Sequence, residues 1–373
     1  MHLRLIPDVH ALSLSPHYPL TDCPYPTSSD FRYMATSDLL HELSKDSFRA
    51  APEVEKKVVA VVLTQLDDQS GDVSTLAVKC LPPLVRGCSL PSVVAVMDGL
   101  LQRVCFVNGK DAEIRAKRDA GVIGLRTIIA EVPHTQQHHV SQIVTALVPK
   151  LLTKLNDSIN TGEISKNTGV AGDLAGDCLE LITALSAKHG SYMTGGEVVG
   201  VTSQSEKKAQ TEGDISPSDS PSQTTAPQGV SPATAQALEQ ALQRYLKESG
   251  RQATRKRAAA CLASLGASAS DGFLSRCAAA ARTAIASAIE RKLPAQQRDE
   301  LCAPYAHLLG SMAHASGSRF GPHADDCFAT IFELTETAHE EGSETLRETC
   351  LRTVERFIGE CPRSVAGNLP KVV

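Results

Sequence analysis

The sequence predicts an all-α solenoid, a right-handed superhelix of antiparallel helix pairs carrying one disordered loop insertion. Three observations lead there. Amphipathic helical segments recur along the chain, the clearest being residues 345–362, which stop at Cys361-Pro362. The chain is 42% hydrophobic but 4% aromatic and has no Trp, so its core is built from Leu, Val, Ile, Ala and Cys. That suits short, closely approaching helices better than packed sheets. The spacing is countable: Ala35, Ala77 and Gly121 align at intervals of 42 and 44 residues, and Arg255 aligns with Arg347 after 92. A period of about 40–47 residues with two helices per unit is the HEAT or armadillo class. One helix pair cannot bury its apolar face alone, whereas stacked pairs form a continuous core.

Residues 1–28 form an irregular segment, because Pro7, Pro16, Pro19, Pro24 and Pro26 exclude a long helix. Repeats are expected over 29–189. Asp30 is expected to cap a helix over 31–45, with Phe31, Met34, Ala35 and Leu39 toward one side. A helix over 53–66 carries Val58, Val59, Val61, Val62 and Leu66, and a polar turn over 67–72 follows. The next helix, 73–84, is expected to be interrupted by Pro82-Pro83. Helices follow over 92–106, to about 131 after a turn at 108–111, over 139–155 and over 172–188. Residues 190–232 are polar and Pro-rich, with Ser-Pro pairs at Ser216, Ser220 and Ser231. Such a stretch cannot offset its ordering entropy and reads as a disordered, solvated insertion; its Ser-Pro pairs are candidate phosphorylation sites. Repeats resume over 233–373, first as a helix to Glu248 with Gly250 as its C-cap glycine. They are expected to be truncated at the C-terminus, leaving the last repeat without a polar cap.

Composition excludes several function classes. The net charge of −5 has no extreme asymmetry, which argues against nonspecific nucleic-acid binding. No apolar run approaches the roughly 18 residues of a membrane span, and the N-terminus lacks a signal-peptide pattern. The 11 cysteines include no C-x-x-C, and Cys80, Cys178, Cys261, Cys327 and Cys350 fall among apolar residues at helical spacing. They read as small core hydrophobes in a reducing compartment, so a cytoplasmic and nuclear protein is expected. His138-His139 has no ligand partner nearby, and Gly195-Gly196 has no preceding strand to make a phosphate cradle. Neither an enzyme nor a metal or cofactor site is expected.

The basic clusters are Arg115-Ala-Lys-Arg118 and Arg251 with Arg255-Lys-Arg257, each at the start of a second helix. The simpler reading is a charge ladder between neighbouring repeats. The functional one is a patch facing an acidic partner, since second helices line the concave side of such stacks. By position, the candidate partner-binding residues are Arg32, Lys79, Arg118 and Arg126, all expected to be exposed.

A family resemblance adds to this reading. Residues 29–40, Ser-Asp-Phe-Arg-Tyr-Met-Ala-Thr-Ser-Asp-Leu-Leu, resemble the first repeat of the cullin-associated and neddylation-dissociated family. Residues 76–84 and 123–129 are similar to its second and third repeats, and 253–257 and 346–351 to later repeats in the same order. Two departures are visible: a Pro-rich segment stands where the family's first helix is expected, and the family's proteins are much longer. The resemblance implies a monomeric, noncatalytic regulator of cullin–RING ubiquitin ligases. It would bind the RING-bearing, C-terminal half of an unneddylated cullin and support exchange of substrate-receptor modules in ligase assembly. The competing reading is another HEAT scaffold, such as a nuclear transport receptor or a phosphatase scaffold.

Overall fold

The computed structural model describes residues 28–106, 109–133, 136–161, 169–194 and 229–367. In order come α1 (Ser29–Leu43), α2 (Pro52–Gln65), α3 (Gly71–Gly87), α4 (Leu90–Val104), α5 (Asp111–Glu131), α6 (Gln137–Asn160) and α7 (Gly169–Met193). Then follow α8 (Pro232–Glu248), α9 (Gln252–Gly266), α10 (Asp271–Glu290), α11 (Ala295–Ser316), α12 (Gly321–Glu340), α13 (Glu344–Glu360) and the short α14 (Pro362–Val365).

These helices make two layers. Each odd helix packs on the next odd helix without a break from α1 to α13. The even helices form the second layer, and each even helix from α2 to α12 packs against the odd helix that follows it. The repeat unit is an even helix followed by an odd one, so the fold is the expected all-α HEAT-type solenoid. From α7 onward the odd layer is the more closely packed. Thr353 Oγ1 of α13 donates to Ala306 O of α11 (3.0 Å), and Ser264 Oγ of α9 to Thr183 O of α7 (3.5 Å). Side chain to backbone bonding at this range requires helices in close approach. Even helices are joined mainly through long side chains, as in Arg276 of α10 with Glu239 of α8 (2.7 Å) and Lys150 of α6 with Asp98 of α4.

Several local expectations change. Ser28, not Asp30, caps α1: its Oγ accepts from the Asp30 amide (3.2 Å). In α1 the buried residues are Thr36, Leu39 and Leu43, while Phe31 and Met34 are exposed. The helix packs on α3 along one face only, and those two side chains fall opposite it. α3 runs unbroken through Pro82 and Pro83. Two backbone bonds are lost there, but Leu81, Leu84 and Val85 are buried around them and hold the helix in register. Gly250 is no C-cap glycine: Ser249 leaves α8 in extended conformation, and Gly250 has no positive φ. The left-handed exit occurs instead at Gly342, whose φ of 74° lets the Ser343 amide reach Ala338 O (2.8 Å).

The five cysteines predicted to be core residues are all fully buried. The turn at Asn108, the Gly195-Gly196 pair, and Ser216 and Ser220 lie outside the described residues, as do most of 1–28 and of the 190–232 insertion. Ser231, the third Ser-Pro serine, accepts from the Thr234 amide and caps α8 (3.1 Å). Across the insertion the stack is continuous. The Val230 amide bonds Tyr192 O (2.8 Å), and α7 packs directly on α9. An insertion whose ends already meet adds little loop-closure cost.

Candidate partner-binding surface

All four candidate residues fall on the odd layer: Arg32 on α1, Lys79 on α3, Arg118 and Arg126 on α5. Their environments differ. Arg32 forks onto Asp68 with Nε–Oδ2 2.7 Å and Nη2–Oδ1 3.0 Å. Burial pushes the Asp68 carboxyl up, but Arg32 and the Ser70 amide (2.8 Å) together hold it below the usual aspartate range. Arg32 therefore fastens α1 to the turn before α3.

Arg118 is not exposed as expected: it retains 4% of its surface and pairs with Asp177 of α7. Burial raises the Asp177 carboxyl further than Arg118 and Arg257 draw it down. The ladder reading applies to this residue. It applies also to Arg255, which donates to Glu300 O of α11 (2.6 Å). The basic stretches partly serve as struts between repeats.

Arg126 is mostly exposed and meets Glu180 of α7. Lys79 is exposed and has no ion pair among the described residues. On α5 the structure adds a residue the sequence reading passed over. Ile123 is 52% exposed on α5. Positions 115, 119, 123 and 126 share one helical stripe, so Ile123 sits between Arg115 and Arg126 on the face of α5 that turns away from its core residues. The signal was present: Val122, Leu125, Ile128 and Ile129 form the buried stripe of α5, and Ile123 falls off it. Asp119 lies one turn before Ile123 and Arg126 one turn after it, so this exposed aliphatic side chain stands among charges of both signs and fits a protein partner with an apolar pocket.

Among the described residues no three His, Cys, Asp or Glu side chains converge as metal ligands, and no helix is long and apolar enough to cross a membrane. Burial pushes the thiols of Cys80, Cys261 and Cys350 up to about 12, so they stay protonated at neutral pH. A shallow cleft lined by Asp98, Leu101, Cys105, Lys150 and Lys154 lies between α4 and α6, on the opposite layer from the four candidates.

No family model matches the chain. Among curated proteins it is 30% identical over 339 residues to the Arabidopsis thaliana cullin-associated NEDD8-dissociated protein 1, covering 90% of this chain and 22% of that protein. The Drosophila melanogaster protein of the same name is 26% identical over 93% of this chain and 22% of its own length. The Mus musculus cullin-associated NEDD8-dissociated protein 2 is 29% identical over 93% of this chain and 23% of its own. The chain thus spans about a fifth of the length of these relatives. Among solved structures, Kap95p from a complex with RanGDP aligns at 14% identity and a TM-score of 0.45, over 91% of this chain and 36% of that one.

Proposed function

We propose that this homologue of the cullin-associated NEDD8-dissociated proteins is a noncatalytic binding module for cullin–RING ubiquitin ligases, acting in the cytoplasm and nucleus. The observation that carries the reading is similarity to three such proteins across at least 90% of the chain. The odd layer supplies exposed residues of fitting chemistry: Lys79 on α3 and, on α5, Arg126 one turn after Ile123. In this reading the module, as a monomer, holds the RING-bearing, C-terminal half of an unneddylated cullin. Support for assembly of the ligase and exchange of its substrate-receptor modules is the finer part of the same proposal.

The test is co-purification of the tagged chain with cullin–RING complexes, with and without NEDD8 attached. Capture of the unmodified complex in preference to the modified one is expected. Equal capture, or none, removes the reading. Combined Lys79→Glu and Ile123→Asp is expected to weaken capture by about tenfold or more while helical circular dichroism is unchanged, because both side chains are exposed. Unchanged capture moves the interface elsewhere on the solenoid.

A further inference from the structure

The odd layer carries a second cationic surface, on α9, α11 and α13, that the cullin reading does not use. Lys256 of α9 is exposed. Arg356 of α13 is half-buried, and its Nη1 donates to Ser311 Oγ of α11 (2.9 Å), which draws the guanidinium across the face of α11. His307 lies one helical turn before Ser311 and shares that face. Burial first, then Arg356 and Lys256, hold its imidazole below the usual histidine range. One cation from each neighbouring helix therefore acts on the same ring. On α13, Glu348 is held by Arg352 (2.6 Å), Glu360, one turn after Arg356, meets His314 of α11 (2.8 Å), and Glu355 is exposed; on α11, Glu300 is contacted by Gln296 (3.4 Å). Small residues lie on the same stripes, with Ala260 and Ser264 following Lys256 on α9 and Ser311 following His307. α11 and α13 approach so closely that a Cβ on Gly310 would lie 3.0 Å from Thr353 Oγ1.

Packed helices lie about 8–10 Å apart. An extended chain rises about 3.3 Å per residue, so consecutive helices meet every third residue of a strand laid across them. The geometry points to an extended acidic peptide laid across the face that carries Lys256, His307 and Arg356, with a carboxylate at every third residue. The guanidinium takes one carboxylate through a fork, the ammonium takes another as a point charge, and the neutral imidazole donates an N–H between them. The inference stands on these residues and does not require the partner to be a cullin.

The probe is a fluorescent peptide of repeated Glu-Gly-Ser triplets, compared by anisotropy with a Gln-Gly-Ser peptide. Tighter binding of the Glu peptide is expected, weakened by added salt. Lys256→Glu with Arg356→Glu is expected to lower affinity by about tenfold or more, and Arg356→Lys, which keeps the charge but loses the fork, lowers it less. Lys256→Gln, at an exposed site, reads the same effect should the double variant fail to fold. Lys79→Glu leaves peptide binding unchanged, which separates this surface from the cullin-binding one. Bound carboxylates are expected to raise the His307 titration followed by NMR. Equal affinity for both peptides, full affinity in Lys256→Gln, loss in Lys79→Glu, or an unmoved His307 titration would each overturn the inference.

Discussion

Arg118 and Arg126 stand eight residues apart on one helix, and burial separates their roles. Removing the buried Arg118 leaves Asp177 without its closest cation. Arg118→Ala is expected to cost about 3 kcal/mol in urea unfolding. Arg126→Ala, at an exposed pair, is expected to cost less than about 1 kcal/mol. Equal losses would mean that Arg118 carries no structural load. Glu55 shows the same logic with an acid. It is buried on α2 and accepts from the Ser89 amide (3.1 Å) and from Ser92 Oγ (2.6 Å), so it caps the start of α4 from the preceding repeat. Burial alone pushes its carboxyl up, but the bonds from Ser89 and Ser92 together hold it below the usual glutamate range. The unfolded state then binds the proton first as pH falls. The stabilisation is complete above the unfolded value of about 4.3 and is lost as pH drops from there through the lowered folded value. Glu55→Gln is expected to cost about 1–2 kcal/mol at neutral pH and to flatten the acid limb of a stability–pH profile.

Helix spacing is set by small residues at chosen positions. On α5, a Cβ on Gly121 would lie 2.8 Å from Leu100 O, a backbone atom of α4 that cannot swing aside. Gly121→Ala is expected to destabilise by about 1–3 kcal/mol by forcing the two helices apart. On α13, Gly359 has nothing within 4 Å of the same position, so Gly359→Ala is expected to stabilise by about 0.5–1 kcal/mol through helix propensity alone. Thermal unfolding of the two variants checks the contrast, and shifts of the same sign would refute it. The period of the sequence marked Gly121 as a repeat position but could not say that a carbonyl opposes it. Pro82-Pro83 taught the converse. Local chemistry forecasts a break, and the burial of Leu81, Leu84 and Val85 overrides it.

At the scale of the molecule the stack is nearly one-dimensional, and each helix is secured by its neighbours. α11 packs on α9 and α13 in its own layer and on α10 and α12 behind, whereas among the described residues α1 has an odd-layer neighbour, α3, on one side only. Amide hydrogen exchange is expected to be slowest in α9 and α11 and fastest in α1. A single uniform protection level along the chain would show instead that the array opens as one unit. The struts Arg32–Asp68, Arg118–Asp177, Arg282–Asp326 and Arg298–Glu341 run between consecutive units along the array. Of these arginines only Arg118 belongs to a basic cluster, and the exposed Lys79 and Lys256 take part in no ion pair among the described residues.

The sequence by itself determined the helical class, the repeat period, the cysteine core and the layer on which the candidate residues lie. These follow from local periodicity, because a face that recurs every 3.6 residues must be buried wherever its helix packs. Only the tertiary structure decided which charges are free. An arginine reads the same in sequence whether its acid sits on the next repeat or on another protein. The choice among Arg32, Lys79, Arg118 and Arg126 depends on Asp68, Asp177 and Glu180, brought close by stacking from 36 to 59 residues away along the chain.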